Sequence, residues 1–138
     1  MSYINTFIQV SPDCPVMQSE IPVAKGDKKS MHVIQYELLT EAPYRYNHEE
    51  LTFEVYVRHK VIPLEEVAAH RQELWDNLFQ KGHPRMRASA LAKRYGWGAH
   101  YDQQGKIALY AMESDEYQRF IQASEEVNLL AAMRNKKA

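Results

Sequence analysis

The sequence predicts an α+β fold: an antiparallel sheet of about five strands, packed on one side by a long central helix, with further helices near the C-terminus. Three observations carry this reading. Short runs of alternating apolar and polar residues recur along the chain. One stretch, from Pro63 to Lys81, places apolar residues at helical spacing. Strand-like runs neighbour one another instead of alternating singly with helices, so βαβ units are not expected.

Residues 3–10 are rich in β-formers and stop at Ser11-Pro12-Asp13-Cys14-Pro15, where two prolines remove ladder donors. Residues 16–30, with Pro22, Gly26 and the charge run through Lys28 and Lys29, read as an exposed connection. Met31–Leu39 reads as a second strand, with His32, Ile34, Tyr36 and Leu38 on one face. Asn47-His-Glu-Glu50 has the spacing of a capping box and heads one or two helical turns. Thr52–Lys60 reads as a third strand with Phe53, Val55 and Val57 inward, leaving the opposite sheet face wetted.

Pro63 suits the first position of the long helix, and Glu65 and Glu66 complement its positive end. Leu64, Val67, Ala68, Leu74, Trp75, Leu78 and Phe79 form its apolar stripe, Gly82 supplies a left-handed cap and Pro84 blocks continuation. Ala88–Tyr95 reads as a short helix. Trp97–Tyr101 and Lys106–Met112 form a hairpin around Asp102-Gln-Gln-Gly105. Ser114 caps a helix through about Gln122 that buries Tyr117, Phe120 and Ile121. Ser124 starts another helix, and residues 134–138 form a frayed tail.

The 138 residues, 45% hydrophobic and 25% charged, fit one α+β domain over 1–138 that hides about two-thirds of its extended surface without disulfides or metals. With 17 Lys+Arg against 18 Asp+Glu the net charge is −1, which excludes a bulk polyanion binder. No apolar run is long enough to span a membrane and the N-terminus lacks a signal pattern, so a cytoplasmic location is expected. Cys14 is the one cysteine, so it forms no internal disulfide and no cysteine-cage zinc site.

Strong enzyme signatures are absent. Five glycines are scattered without a phosphate loop, and no nucleophile elbow or zinc helix occurs. Glu66 and His70 share a helix face, but that pair more often faces solvent than metal, and no metal or cofactor is expected. One stretch stands out. Between Asp76 and Asp102 no acid interrupts Lys81, Arg85, Arg87, Lys93 and Arg94, and the same interval holds His83, Tyr95, Trp97, His100 and Tyr101. Cations beside flat rings suit an anionic ligand or a nucleotide. The bland alternative is neutralisation by the five acids of residues 113–126 across the fold.

The leading expectation is therefore a non-catalytic binding domain holding an anion through Arg85, Arg87, Lys93, Arg94, Tyr95, Trp97 and His100. The near-zero net charge argues against tight non-specific nucleic-acid binding. The competing expectation is a small enzyme with a dispersed site involving Cys14, Tyr95 and His100, with Asp13 beside it. Nine tyrosines and exposed strand edges add an expectation of homo-oligomers.

Asn5-Thr-Phe-Ile8 with Pro12-Asp-Cys-Pro15, then Lys93-Arg-Tyr-Gly-Trp-Gly98, Gly105-Lys-Ile-Ala-Leu-Tyr110 and Glu113-Ser-Asp-Glu-Tyr117, together resemble a family of short bacterial proteins of unknown function. The likeness spans almost the entire chain. It implies a stand-alone cytoplasmic bacterial protein, and it brings no activity, cofactor or catalytic residue with it.

Overall fold

In chain order the elements are β1 (Thr6–Gln9), α1 (Met31–Glu41), α2 (His48–His59), α3 (Leu64–Leu78), α4 (Ala90–Lys93), β2 (Trp97–Tyr101), β3 (Ile107–Ala111), α5 (Asp115–Gln122) and β4 (Asn128–Ala131), with a 3-10 turn at Met86–Ala88 before α4. This computed structural model describes residues 3–24, 26 and 28–135. The fold is α+β, as expected, but among the described residues the sheet has four strands, in the order β3-β2-β1-β4. It is mixed: β2 pairs antiparallel with β1 and with β3, whereas β4 runs parallel to β1.

Two expected strands are helices. In α2 the buried residues Leu51, Phe53, Val55 and Val57 recur every second position, which imitates a strand. The cause is burial on two sides of one helix. Leu51 and Val55, four apart, belong to the main core, while Phe53 packs its ring 5.2 Å from Trp75 of α3. The capping box is present, with Glu50 N–H bonded to Asn47 Oδ1 at 2.8 Å and Asn47 N–H to Glu50 Oε1 at 2.9 Å, and it heads a 12-residue helix instead of one or two turns. In α1 the buried set is Val33, Ile34, Leu38 and Leu39, a helical spacing that the alternating reading split between two faces.

The long helix is also corrected. α3 begins after Pro63, which is its N-cap, and carries non-helical angles at His70 (φ −129°, ψ 26°). None of its residues is buried, and Leu64 is 87% exposed. It lies against α2 and not across the sheet. It ends at Leu78, and Gly82 is not among the residues with positive φ.

α1 and α4 cover one sheet face, where Ile8, Ala99, Tyr101 and Ile107 meet Ile34, Leu38, Leu39 and Leu91. The other face is not wetted along its length. There Phe7 packs against Tyr117 and Phe120 of α5, with ring centroids 5.1 and 4.6 Å apart. Gly98 is required at this contact, because a Cβ would lie 2.6 Å from Phe7 Cζ and 2.7 Å from Tyr117 Cε2. Ser114 caps α5 and Gly105 closes the β2–β3 turn with φ +78°, both as expected.

Residues from Ser124 do not start a helix. The chain turns and enters β4, whose first amide, Asn128 N–H, bonds to Asn5 O at 2.9 Å. Of the tail expected to fray, 134–138, residues 136–138 lie outside the described residues, whereas Asn135 is held in place, its N–H bonded to Asp13 Oδ1 at 2.9 Å.

Candidate functional site

Among the described residues, ion pairs within 4.0 Å join Lys29 to Glu37, Arg58 and Arg71 to Glu54, and His70 to Glu73. None involves Lys81, Arg85, Arg87, Lys93 or Arg94. The acids of residues 113–126 do not clasp them; Glu113 instead accepts from Ser19 N–H and Oγ–H, both at 2.8 Å, and the Ser19 N–H is the main reason its carboxyl is held below its ordinary value.

These cations do not converge in one place. Arg87 Nε donates to Ala131 O, 2.8 Å away at the end of β4. Arg94 Nε donates to Asn135 Oδ1 at 3.2 Å, and Asn135 Nδ2 donates to the carbonyl of Lys93 at 2.8 Å. Tyr95 stacks on His32 of α1 with centroids 5.1 Å apart. Trp97 donates from Nε1 to Glu20 O at 2.9 Å and meets Tyr36 edge to face. These two rings fasten residues 19–21 and α1 to the sheet. His100 stands on the opposite sheet face, its ring 4.4 Å from that of Phe120.

Arg85 is different. It enters a groove of about 250 Å³ between the start of α2, at His48 and Glu49, and the segment through Lys81 and His83. Its Nε is buried and finds no acceptor among the described residues. His48, the first residue of α2 and only 6% exposed, has its pKa lowered by burial first and by the Arg85 guanidinium second. His83 bonds through Nε2 to Leu78 O at 2.6 Å, which assigns that nitrogen as the donor. Guanidinium, ammonium and the positive end of a 12-residue helix meet here. Such an arrangement can attract a carboxylate or a tetrahedral oxyanion, while Glu49, which also lines the groove, limits the charge. Sequence reasoning singled out Arg85 and placed His83 in the same acid-free interval without giving it a role, but did not point to His48, whose one signal was its place just after the capping residue.

Tyr44 was also missed as a structural partner of His100. Its Oη lies 2.8 Å from His100 Nδ1 and 2.7 Å from Tyr110 Oη. Burial, then the Tyr110 hydroxyl, raises the Tyr44 pKa far above the ordinary phenol value, and burial lowers that of His100. Tyr44 and His100 are therefore both neutral near pH 7. Cys14 is half-buried within the 11–15 turn, and no hydrogen bond or ring contact among the described residues joins any two of Cys14, Tyr95 and His100. No group of three or more His, Cys, Asp or Glu among the described residues is arranged to hold a metal ion.

Over residues 1–138 the chain belongs to a family of unknown function, DUF6157. No curated protein and no solved structure matches it.

Proposed function

We propose that this member of the DUF6157 family is a small non-catalytic binding domain that takes an anionic ligand in the groove at the start of α2. Arg85 is the anchor and Lys81 the second cation. Arg87, Lys93 and Arg94 add to the positive field from outside the groove, while Tyr95, Trp97 and His100 support the scaffold and do not touch the ligand. The observation that carries the reading is the buried Arg85 Nε without an acceptor, in a groove with a second cation that has no carboxylate within 4.0 Å among the described residues. A buried donor left unpaired costs about 1–3 kcal/mol, a cost that is removed if the Arg85 side chain turns its Nε–H onto an oxyanion in the groove. The proposal takes the protein as cytoplasmic and self-associating, which light scattering and cell fractionation test separately.

The test is titration of ¹⁵N-labelled protein with inorganic phosphate at low salt. Saturable shifts are expected at the Arg85 Nε–Hε resonance and at the His48 and His83 amides. Arg85→Gln weakens the response by about tenfold or more, since a hydrogen bond to a charged group contributes about 1.5–3 kcal/mol. Added salt should weaken it further. Equal titrations of the wild type and Arg85→Gln would refute the site.

A further inference from the structure

A larger cavity than the Arg85 groove lies at the other end of α2, about 18 Å away along a 12-residue helix. It is a cleft of about 580 Å³ whose lining is basic: Lys28 and Lys29 from the connection before α1, and Arg58, His59 and Lys60 from the end of α2, with Glu37 of α1 as the acid. Lys29 is paired with Glu37 at 2.9 Å, and Arg58 with Glu54. Lys28 and Lys60 have no carboxylate within 4.0 Å among the described residues. Among the described residues, four permanent cations line this cleft with one carboxylate, Glu37, and Arg58 finds a second, Glu54, outside the lining.

The negative end of α2 accounts for cations in its own last turn, Arg58 and His59. It does not account for Lys28 and Lys29, which reach the cleft from a separate segment and add to its charge. The remaining wall is aliphatic, from Ile34 and Val61, and among the described residues the His59 imidazole is the one ring that lines the cleft, with no Phe, Tyr or Trp beside it. Recognition here rests on charge, with one imidazole and no larger ring to stack against a base. The volume falls among those of small-ligand pockets, about 300–1,000 Å³, and exceeds what one orthophosphate fills.

We propose that this cleft is a second anion site, specific for an oligophosphate of two or more linked phosphate groups, held between Lys28 and Lys29 on one wall and Arg58 and Lys60 on the other. The phosphate chain belongs either to a free oligophosphate or to a nucleotide. This site shares no residue with the Arg85 groove and stands without it.

Calorimetric titration of the full chain with sodium tripolyphosphate tests the idea. Saturable binding is expected, weakened about tenfold or more in Lys28→Ser/Lys60→Ser and unchanged in Arg85→Gln. Both lysines are exposed, so the double variant should fold, and its far-UV circular dichroism is the check. ATP should bind within about threefold of tripolyphosphate and orthophosphate about tenfold more weakly. ATP binding about tenfold tighter or more would show base recognition and overturn the oligophosphate assignment. So would absence of tripolyphosphate binding, or equal binding by the double variant. Loss in Arg85→Gln alone would transfer the ligand to the other groove.

Discussion

At the scale of single residues, three non-glycine residues among those described hold positive φ: Asn5 at 45°, Tyr44 at 60° and Val61 at 54°. Asparagine tolerates this region, but a β-branched side chain does not. Val61 is there because α2 ends in a Schellman-type turn, in which Ile62 N–H bonds to Val57 O at 3.0 Å and Val61 N–H to Arg58 O at 3.2 Å. Glycine usually fills this position. Val61 is 79% exposed, so its side chain contributes little packing. Val61→Gly should relieve about 1–2 kcal/mol of left-handed strain and return part of it through the looser unfolded chain. A net gain of about 0.5–1 kcal/mol, a rise of a few degrees in Tm, is expected by calorimetry. A lower Tm would mean that Val61 makes contacts at the rim of the basic cleft that outweigh the strain.

At the scale of elements, what the sequence discloses depends on how far each signal reaches. The Asn47 capping box, the Asp102–Gly105 turn and the Ser114 cap are local devices, and each stands where its residues place it. α2 was misread because two stripes on opposite sides of one helix together produce the alternation of a strand. β4 was illegible for another reason: its partner β1 lies at the far end of the chain, and parallel pairing leaves no local mark. The sites follow the same rule. Arg85 was legible as part of an acid-free run, whereas Lys28 meets Lys60 only through the packing of α1 on α2. The outer edge of β3 is likewise closed by tertiary contacts, with Tyr44 N–H bonded to Ile107 O at 2.9 Å and Ile107 N–H to Tyr46 O at 3.0 Å. The Tyr44 hydroxyl anchors this strap to His100 and Tyr110. Tyr44→Phe leaves both partners half-buried without it, so a loss of about 1–3 kcal/mol is expected in urea unfolding. Faster hydrogen exchange at the Ile107 amide should accompany it; unchanged stability and exchange would make the hydroxyl chain dispensable to the strap.

At the scale of the whole molecule, three histidines on three elements respond to acid in the same sense. His32 on α1, His48 on α2 and His100 on β2 each have a lowered pKa, with burial the largest cause. Arg94 adds to the lowering at His32 and Arg85 at His48, while Asp102 opposes it at His100. Folding therefore favours the neutral rings. Above the unfolded value of about 6.5 neither state carries these protons, and the native state keeps its full advantage. As pH falls below that value the unfolded chain binds protons first, and stability declines until the folded pKa values are passed. The slope is at most about 1.4 kcal/mol per pH unit for each histidine. Urea unfolding at pH 7.5, 6.5 and 5.5 should show this decline, shallower in His100→Gln. Stability that is flat or rises on acidification would contradict it. Phosphate adds a second arm that joins stability to the Arg85 groove. An oxyanion there counters the guanidinium beside His48 and makes protonation of that ring easier in the folded state. Phosphate should then flatten the acid limb in the wild type and not in Arg85→Gln, whereas equal flattening in both would detach His48 from the site.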